Sequence, residues 1–107
     1  MNLQLRAFVE RHPEGWNHED WLGLLGELEG AGADVSAPEA LGAQLERERL
    51  DWELDRRELK GLGPKRREAL VDRFGSLWSL RQASVDDVAA IRSIPKGVAE
   101  EVVAALS

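Results

Sequence analysis

Apolar residues recur along this chain at three- and four-residue intervals and nowhere alternate with polar ones in the manner of a strand, so the pattern predicts an all-α protein. Leu5, Phe8 and Val9 form the first stripe, which stops before Pro13. A turn through Glu14 and Gly15 follows. Asn17 stands where it can cap a second helix, with Asp20 three residues on, and Trp21, Leu24, Leu25 and Leu28 line one face as far as Gly32. Gly23 and Gly26 lie inside that helix, so packing rather than propensity has to hold it. Ser36 and Glu39 have the spacing of a capping box, with Pro38 in the first turn where its missing N–H does no harm. Leu41, Leu45 and Trp52 carry the helical period through a heavily charged stretch to about Leu59, as one helix or two.

From Gly61 the punctuation becomes regular. Pro64 opens a helix bearing Ala69, Leu70 and Phe74, and Gly75 closes it in a left-handed conformation. A connector with Leu77, Trp78 and Leu80 leads to Ser84, which caps a helix with Asp87 at the third position; Val88 and Ile91 are its buried residues. After Ser93, Ile94 and Pro95, a last helix carries Val98, Ala99, Val102, Val103 and Leu106 on one face. Residues 32 apart superpose: Gly61-Leu62-Gly63 falls on Ser93-Ile94-Pro95, Glu68 on Glu100 and Leu70 on Val102. The second half is therefore two copies of helix, tight turn, helix.

Length and charge refine this picture. A chain of 107 residues makes one domain or two small lobes sharing a core, and the expected division is an acidic helical lobe over 1–53 and the repeated unit over 54–107. The net charge of −6 argues against a polyanion as partner until its distribution is examined. Residues 1–54 hold 4 Lys/Arg against 12 Asp/Glu, whereas 55–107 hold 10 against 8. The repeated half is thus the basic one. Without cysteine there are no disulfides, thiolate metal sites or cysteine nucleophiles. The absence of an apolar run of membrane length and of a signal-like start leads to the expectation of a soluble, cytoplasmic protein.

The candidate chemistry lies in Lys60-Gly61-Leu62-Gly63-Pro64-Lys65-Arg66-Arg67. Glycine leaves no side chain in the way, so the backbone at Gly61 and Gly63 can come close to a ligand. The helix that begins at Pro64 concentrates free N–H groups and partial positive charge at its start, which suits a phosphate oxygen. Basic residues there oppose the helix dipole, so Lys65, Arg66 and Arg67 ask for an anion; the bland alternative is an ordinary helix corner with a solvated basic start. His12 and His18 fill only half a zinc shell, and structural or surface roles suit them better. Tryptophans can stack on bases, but Trp21 and Trp78 lie among leucines and are expected in the core, while Trp16 and Trp52 are open to either use. No arrangement of carboxylates or nucleophiles marks a catalytic site, so the expectation is a protein that is not an enzyme.

The stretches LKGLGPKRREAL, FGSLWSLRQASVDDVAAI and GVAEEVVAAL together resemble a tandem helix-hairpin-helix domain, of the kind at the C-terminus of the excision-repair nuclease subunit UvrC. The resemblance implies five short helices over 54–107, preceded by the small acidic lobe. It also implies sequence-independent binding of double-stranded or junction-containing DNA through backbone phosphates, in repair or recombination. Carried over by position, it makes Lys60, Gly61, Leu62, Gly63, Lys65, Arg66 and Arg67 the first hairpin site and Ser93, Ile94, Lys96, Gly97 and Val98 the second. The second departs from the pattern, since Ser93 replaces a glycine and Pro95 removes a donor. Family hairpins sometimes hold a monovalent cation on turn carbonyls, and the first hairpin is where one would sit; no other cofactor is implied. The rival expectation is a protein-interaction or dimerisation scaffold, as related hairpin pairs are in XPF-type nucleases, with the acidic lobe as docking face for a protein partner.

Overall fold

The computed structural model describes residues 3–106, and among these every regular element is helical. The elements are α1 (Leu3–Arg11), α2 (His18–Gly30), α3 (Pro38–Arg56), α4 (Pro64–Phe74), α5 (Leu77–Arg81), α6 (Val85–Ala89) and α7 (Lys96–Leu106). None of these helices is long and apolar enough to cross a membrane.

Local chemistry sets several of the ends as the sequence predicts. Asn17 and Asp20 exchange hydrogen bonds in a full capping box at the start of α2, and Ser84 and Asp87 do the same for α6. Gly75 ends α4 at φ 75°. The proposed box at Ser36 and Glu39 does not form: Asp34 accepts from the Ser36 N–H at 2.9 Å, and the first cap position of α3 falls on Ala37, one residue before Pro38. A competing acceptor two residues upstream, and a proline that fixes the first helical position, shift the frame by one. The stretch read as a connector is the short helix α5, capped by the Ser76 hydroxyl on the Ser79 N–H.

The segment left as one helix or two is a single 19-residue helix, and it explains how the lobes join. Leu5, Phe8, Val9, Leu24, Leu28 and Leu45 make one buried cluster, against which Trp16, Trp21 and Trp52 pack. Leu50 and Leu54 enter a second cluster with Leu70, Val71, Leu77, Leu80, Val88, Ile94, Ala99, Val102 and Leu106. The expected division between residues 53 and 54 therefore falls inside α3. Of the five short helices expected over 54–107, four are present as α4 to α7, and the stretch before them is the end of the long α3. Trp78, expected in the core, is 72% exposed.

Ion pairs fasten α3 to its neighbours. From α1, Arg6 reaches Glu48 at 3.3 Å and Asp51 at 2.5 Å; from α4, Arg67 reaches the other oxygen of Asp51 at 2.8 Å and Asp55 at 3.1 Å. Asp51 is thus held from both lobes at once. Glu53 is the one buried charged residue among those described, and Arg56 and Arg57 both donate to it. Arg57 also donates to the Ala105 carbonyl at 2.8 Å, tying α3 to the last turn of α7.

The backbone N–H and hydroxyl of Ser84 hold the Asp87 carboxyl below its ordinary value of 3.8. Because the folded value is depressed, the associated stability is present at neutral pH and disappears as pH falls through the folded value. Titration followed by NMR should find Asp87 below 3.8, and Ser84→Ala, which removes the hydroxyl, should move it back upward.

Candidate nucleic-acid interface

The two hairpins are built alike. The Leu62 N–H donates to the Leu59 carbonyl at 3.1 Å, and 32 residues on the Ile94 N–H donates to that of Ile91 at 3.0 Å. The first helical bonds, Arg67 to Gly63 and Ala99 to Pro95, are both 3.0 Å. Leu62 and Ile94 accordingly turn their side chains toward the same core. Ile94 is only 3% exposed and Leu62 is half-buried, so both lock the turns, and neither offers a free N–H to a ligand. The conformations differ at one position. Gly61 has φ 82°, as the third residue of a type II turn requires, whereas Ser93 is not left-handed.

The free donors lie just beyond the turns. Gly63 caps α4 without any side-chain partner, and among the described residues nothing accepts from the N–H groups of Gly63, Lys65 or Arg66. Gly63 and Lys65 are exposed, and the surface around them is an open groove lined by Gly63, Pro64, Lys65 and Arg66. The acidic lobe does not cover it. At the second hairpin the N–H groups of Lys96, Gly97 and Val98 are likewise unpaired. Pro95 removes the donor that Gly63 supplies, but Lys96 stands where Pro64 removes one. Each hairpin therefore presents three helix-start donors.

Side chains divide into those that face solvent and those already engaged. Lys60, Lys65 and Lys96 are exposed and form no ion pair among the described residues. Arg66 folds back so that its Nη1 donates to the Gly61 carbonyl at 2.6 Å. That bond braces the turn. Arg67 is drawn away from the hairpin by Asp51 and Asp55; its guanidinium is a clasp between α4 and α3 rather than a free phosphate ligand. Sequence reading missed Arg92, which is exposed and sits 32 residues after Lys60, so each turn carries a cation at the same place. The repeat offset itself is the signal that finds it.

The hairpins meet at Gly61. A Cβ built there would stand 2.9 Å from Cγ2 of Val98, so Val98 packs against the first hairpin. A Cβ at Gly63 or Gly97 would meet nothing within 4 Å. Neither glycine is demanded by the fold. In the first turn of α7, Gly97 even costs helix stability, so Gly97→Ala should raise stability by about 0.5 kcal/mol. If a phosphate approaches those amides, the same change should weaken duplex binding roughly tenfold, the cost of losing a hydrogen bond to a charged group.

Among the described residues no group of three or more His, Cys, Asp or Glu is placed to hold a metal ion. His12 sets Nδ1 2.9 Å from the Phe8 carbonyl and packs on the Phe8 ring, a structural role.

No protein-family model matches the chain, and no solved structure does. Over 45 residues, 42% of the chain, it is 47% identical to UvrABC system protein C of Francisella tularensis subsp. novicida. Over 43 residues, 40% of the chain, it is 42% identical to UvrABC system protein C of Carboxydothermus hydrogenoformans. Two fifths of the chain is thus similar to these proteins, and the similar stretch spans 7% of the length of each.

Proposed function

We propose that this chain binds DNA through backbone phosphates, without regard to sequence, in a repair-related role. The observation that carries this is the unpaired donor set at Gly63, Lys65 and Arg66, standing open beside Lys60 and Lys65 and repeated 32 residues later. Helix-start amides with no side chain in front of them suit an oxyanion, and flexible exposed lysines supply attraction that any sequence satisfies. Similarity to UvrABC system protein C supports the same direction. The role is one of binding, with no chemical step assigned to the chain. Lys60, Lys65, Arg92 and Lys96 are the side chains that meet phosphates, and Gly63, Gly97 and their neighbours are the backbone sites.

Fluorescence anisotropy against duplex, single strand, fork and junction tests this. With two to four phosphates engaged, log K against log salt should fall with a slope of about −2 to −3.5 on duplex. Two duplexes of unrelated sequence should bind equally. Binding that is absent, or indifferent to salt, would remove the proposal.

A further inference from the structure

Three of the four tryptophans have their rings covered by the protein itself. Trp16 meets Phe8 edge-on with centroids 5.3 Å apart and carries the Arg49 guanidinium 5.3 Å above it. Trp52 carries that of Arg56 at 4.6 Å, and Trp21 lies over Gly42. Trp78 has no such cover and is 72% exposed, although Leu77 and Leu80 of the same short helix are buried. An indole left in water forgoes one of the largest apolar burials a side chain can make, and such residues anchor protein interfaces.

The first hairpin does not cover it. The free donors lie at the start of α4, whereas α5 begins beyond Gly75 at the other end, roughly 15 Å along the axis at 1.5 Å per residue. The neighbours of Trp78 define what would. Arg81 lies one turn on, exposed and without an ion pair among the described residues, whereas Arg73, in the last turn of α4, stacks on the Phe74 ring at 5.0 Å and its charge acts on Asp87. A complementary surface brings an apolar side chain flanked by carboxylates. This chain has one. On α2, Leu22 is 51% exposed, with the exposed Glu19 and Glu29 on the same helix face, in the half that holds 12 Asp/Glu against 4 Lys/Arg.

We propose that the Trp78–Arg81 face docks on the Leu22 face of a second copy of this chain, in a two-fold pair to which each copy contributes both surfaces. The molecule is elongated, 45 × 23 × 21 Å, and its two clusters follow one another along α3. Antiparallel pairing sets the acidic half of one copy beside the basic half of the other. The hairpins take no part, so the pairing does not depend on DNA binding.

Sedimentation velocity of the whole chain, from low micromolar to sub-millimolar concentration, tests it. The expected result is a concentration-dependent doubling of mass that weakens in high salt. Trp78→Ala and, separately, Leu22→Glu should each raise the dissociation constant about tenfold or more, with unchanged circular dichroism, because both positions are exposed. Plain-duplex affinity of Trp78→Ala should stay at the wild-type value. A chain that remains monomeric throughout overturns the pairing, as does a dimer that Trp78→Ala leaves intact. If Trp78→Ala leaves the mass unchanged but weakens binding to an overhang-bearing duplex, the indole is a base-stacking platform and the pairing is also overturned.

Discussion

Reversing Lys60 and Lys65 together to glutamate is expected to cut duplex affinity about a hundredfold while the protein stays folded. Both side chains are exposed and form no ion pair among the described residues, so nothing in the core notices the change. Each lysine that neutralises one phosphate contributes about 0.9 to the salt slope, so losing two should flatten log K against log salt by about 2. The fold should respond in the opposite sense. Lys65 stands in the first turn of α4, where a cation opposes the helix dipole, and a glutamate there should add a few tenths of a kcal/mol or more. Affinity falling while melting temperature holds or rises is a signature that a mere folding defect does not produce. Arg67→Ala supplies the contrast: it breaks the clasp to Asp51 and Asp55, so its effect should appear in stability first. Equal binding by the wild type and the double reversal would end the phosphate assignment.

How much of this was legible in the sequence depends on how local each cause is. Asn17, Ser84, Pro64 and Gly75 act within a few residues, and the structure places helix ends where they predict. Ser36 has an equally good spacing and fails, because Asp34 competes for its N–H. The length of α3 was obscured for a different reason. Leu45 and Trp52 serve one cluster while Leu50 and Leu54 serve the other, so the apolar positions spread around the helix and no single stripe marks it as continuous. Trp78 looked internal because Leu77 and Leu80 flank it, yet a helix of five residues has too little length for periodicity to show which way each side chain turns.

The hairpins show the same boundary between local and tertiary causes. Glycine, proline and lysine spacing marks the corner at Gly61 to Lys65, and the 32-residue offset carries it to Arg92 and Lys96. Nothing in the sequence reveals that Arg67, third in a run of three cations, belongs to Asp51 and Asp55. Those partners lie 16 and 12 residues away and come within reach only when α4 folds back on α3. The consequence is functional as well as structural. A single aspartate, Asp51, fixes the helix that carries the first donor set to α3 and, through Arg6, to α1.

The two glycines of the first hairpin should separate folding from binding. Gly61→Ala is expected to cost about 3 kcal/mol, from roughly 1–2 for a left-handed side-chain-bearing residue and a further share for overpacking. Both terms are visible at the site: φ is 82°, and the new methyl would lie 2.9 Å from Cγ2 of Val98, a β-branched side chain packed between the hairpins and unable to swing aside freely. Chemical denaturation should show a lower midpoint, and the relative placement of α4 and α7 should loosen. Gly63→Ala should behave otherwise. Its backbone is extended at φ −80° and ψ 178°, and open space surrounds the site of the methyl, so stability should change by less than about 0.5 kcal/mol. The methyl would stand beside the free amides, so under the proposed phosphate contact duplex affinity should drop about tenfold. A Gly63→Ala protein that binds as tightly as the wild type would mean that the second glycine serves neither fold nor ligand, and the donor set at α4 would lose its claim to be the contact surface.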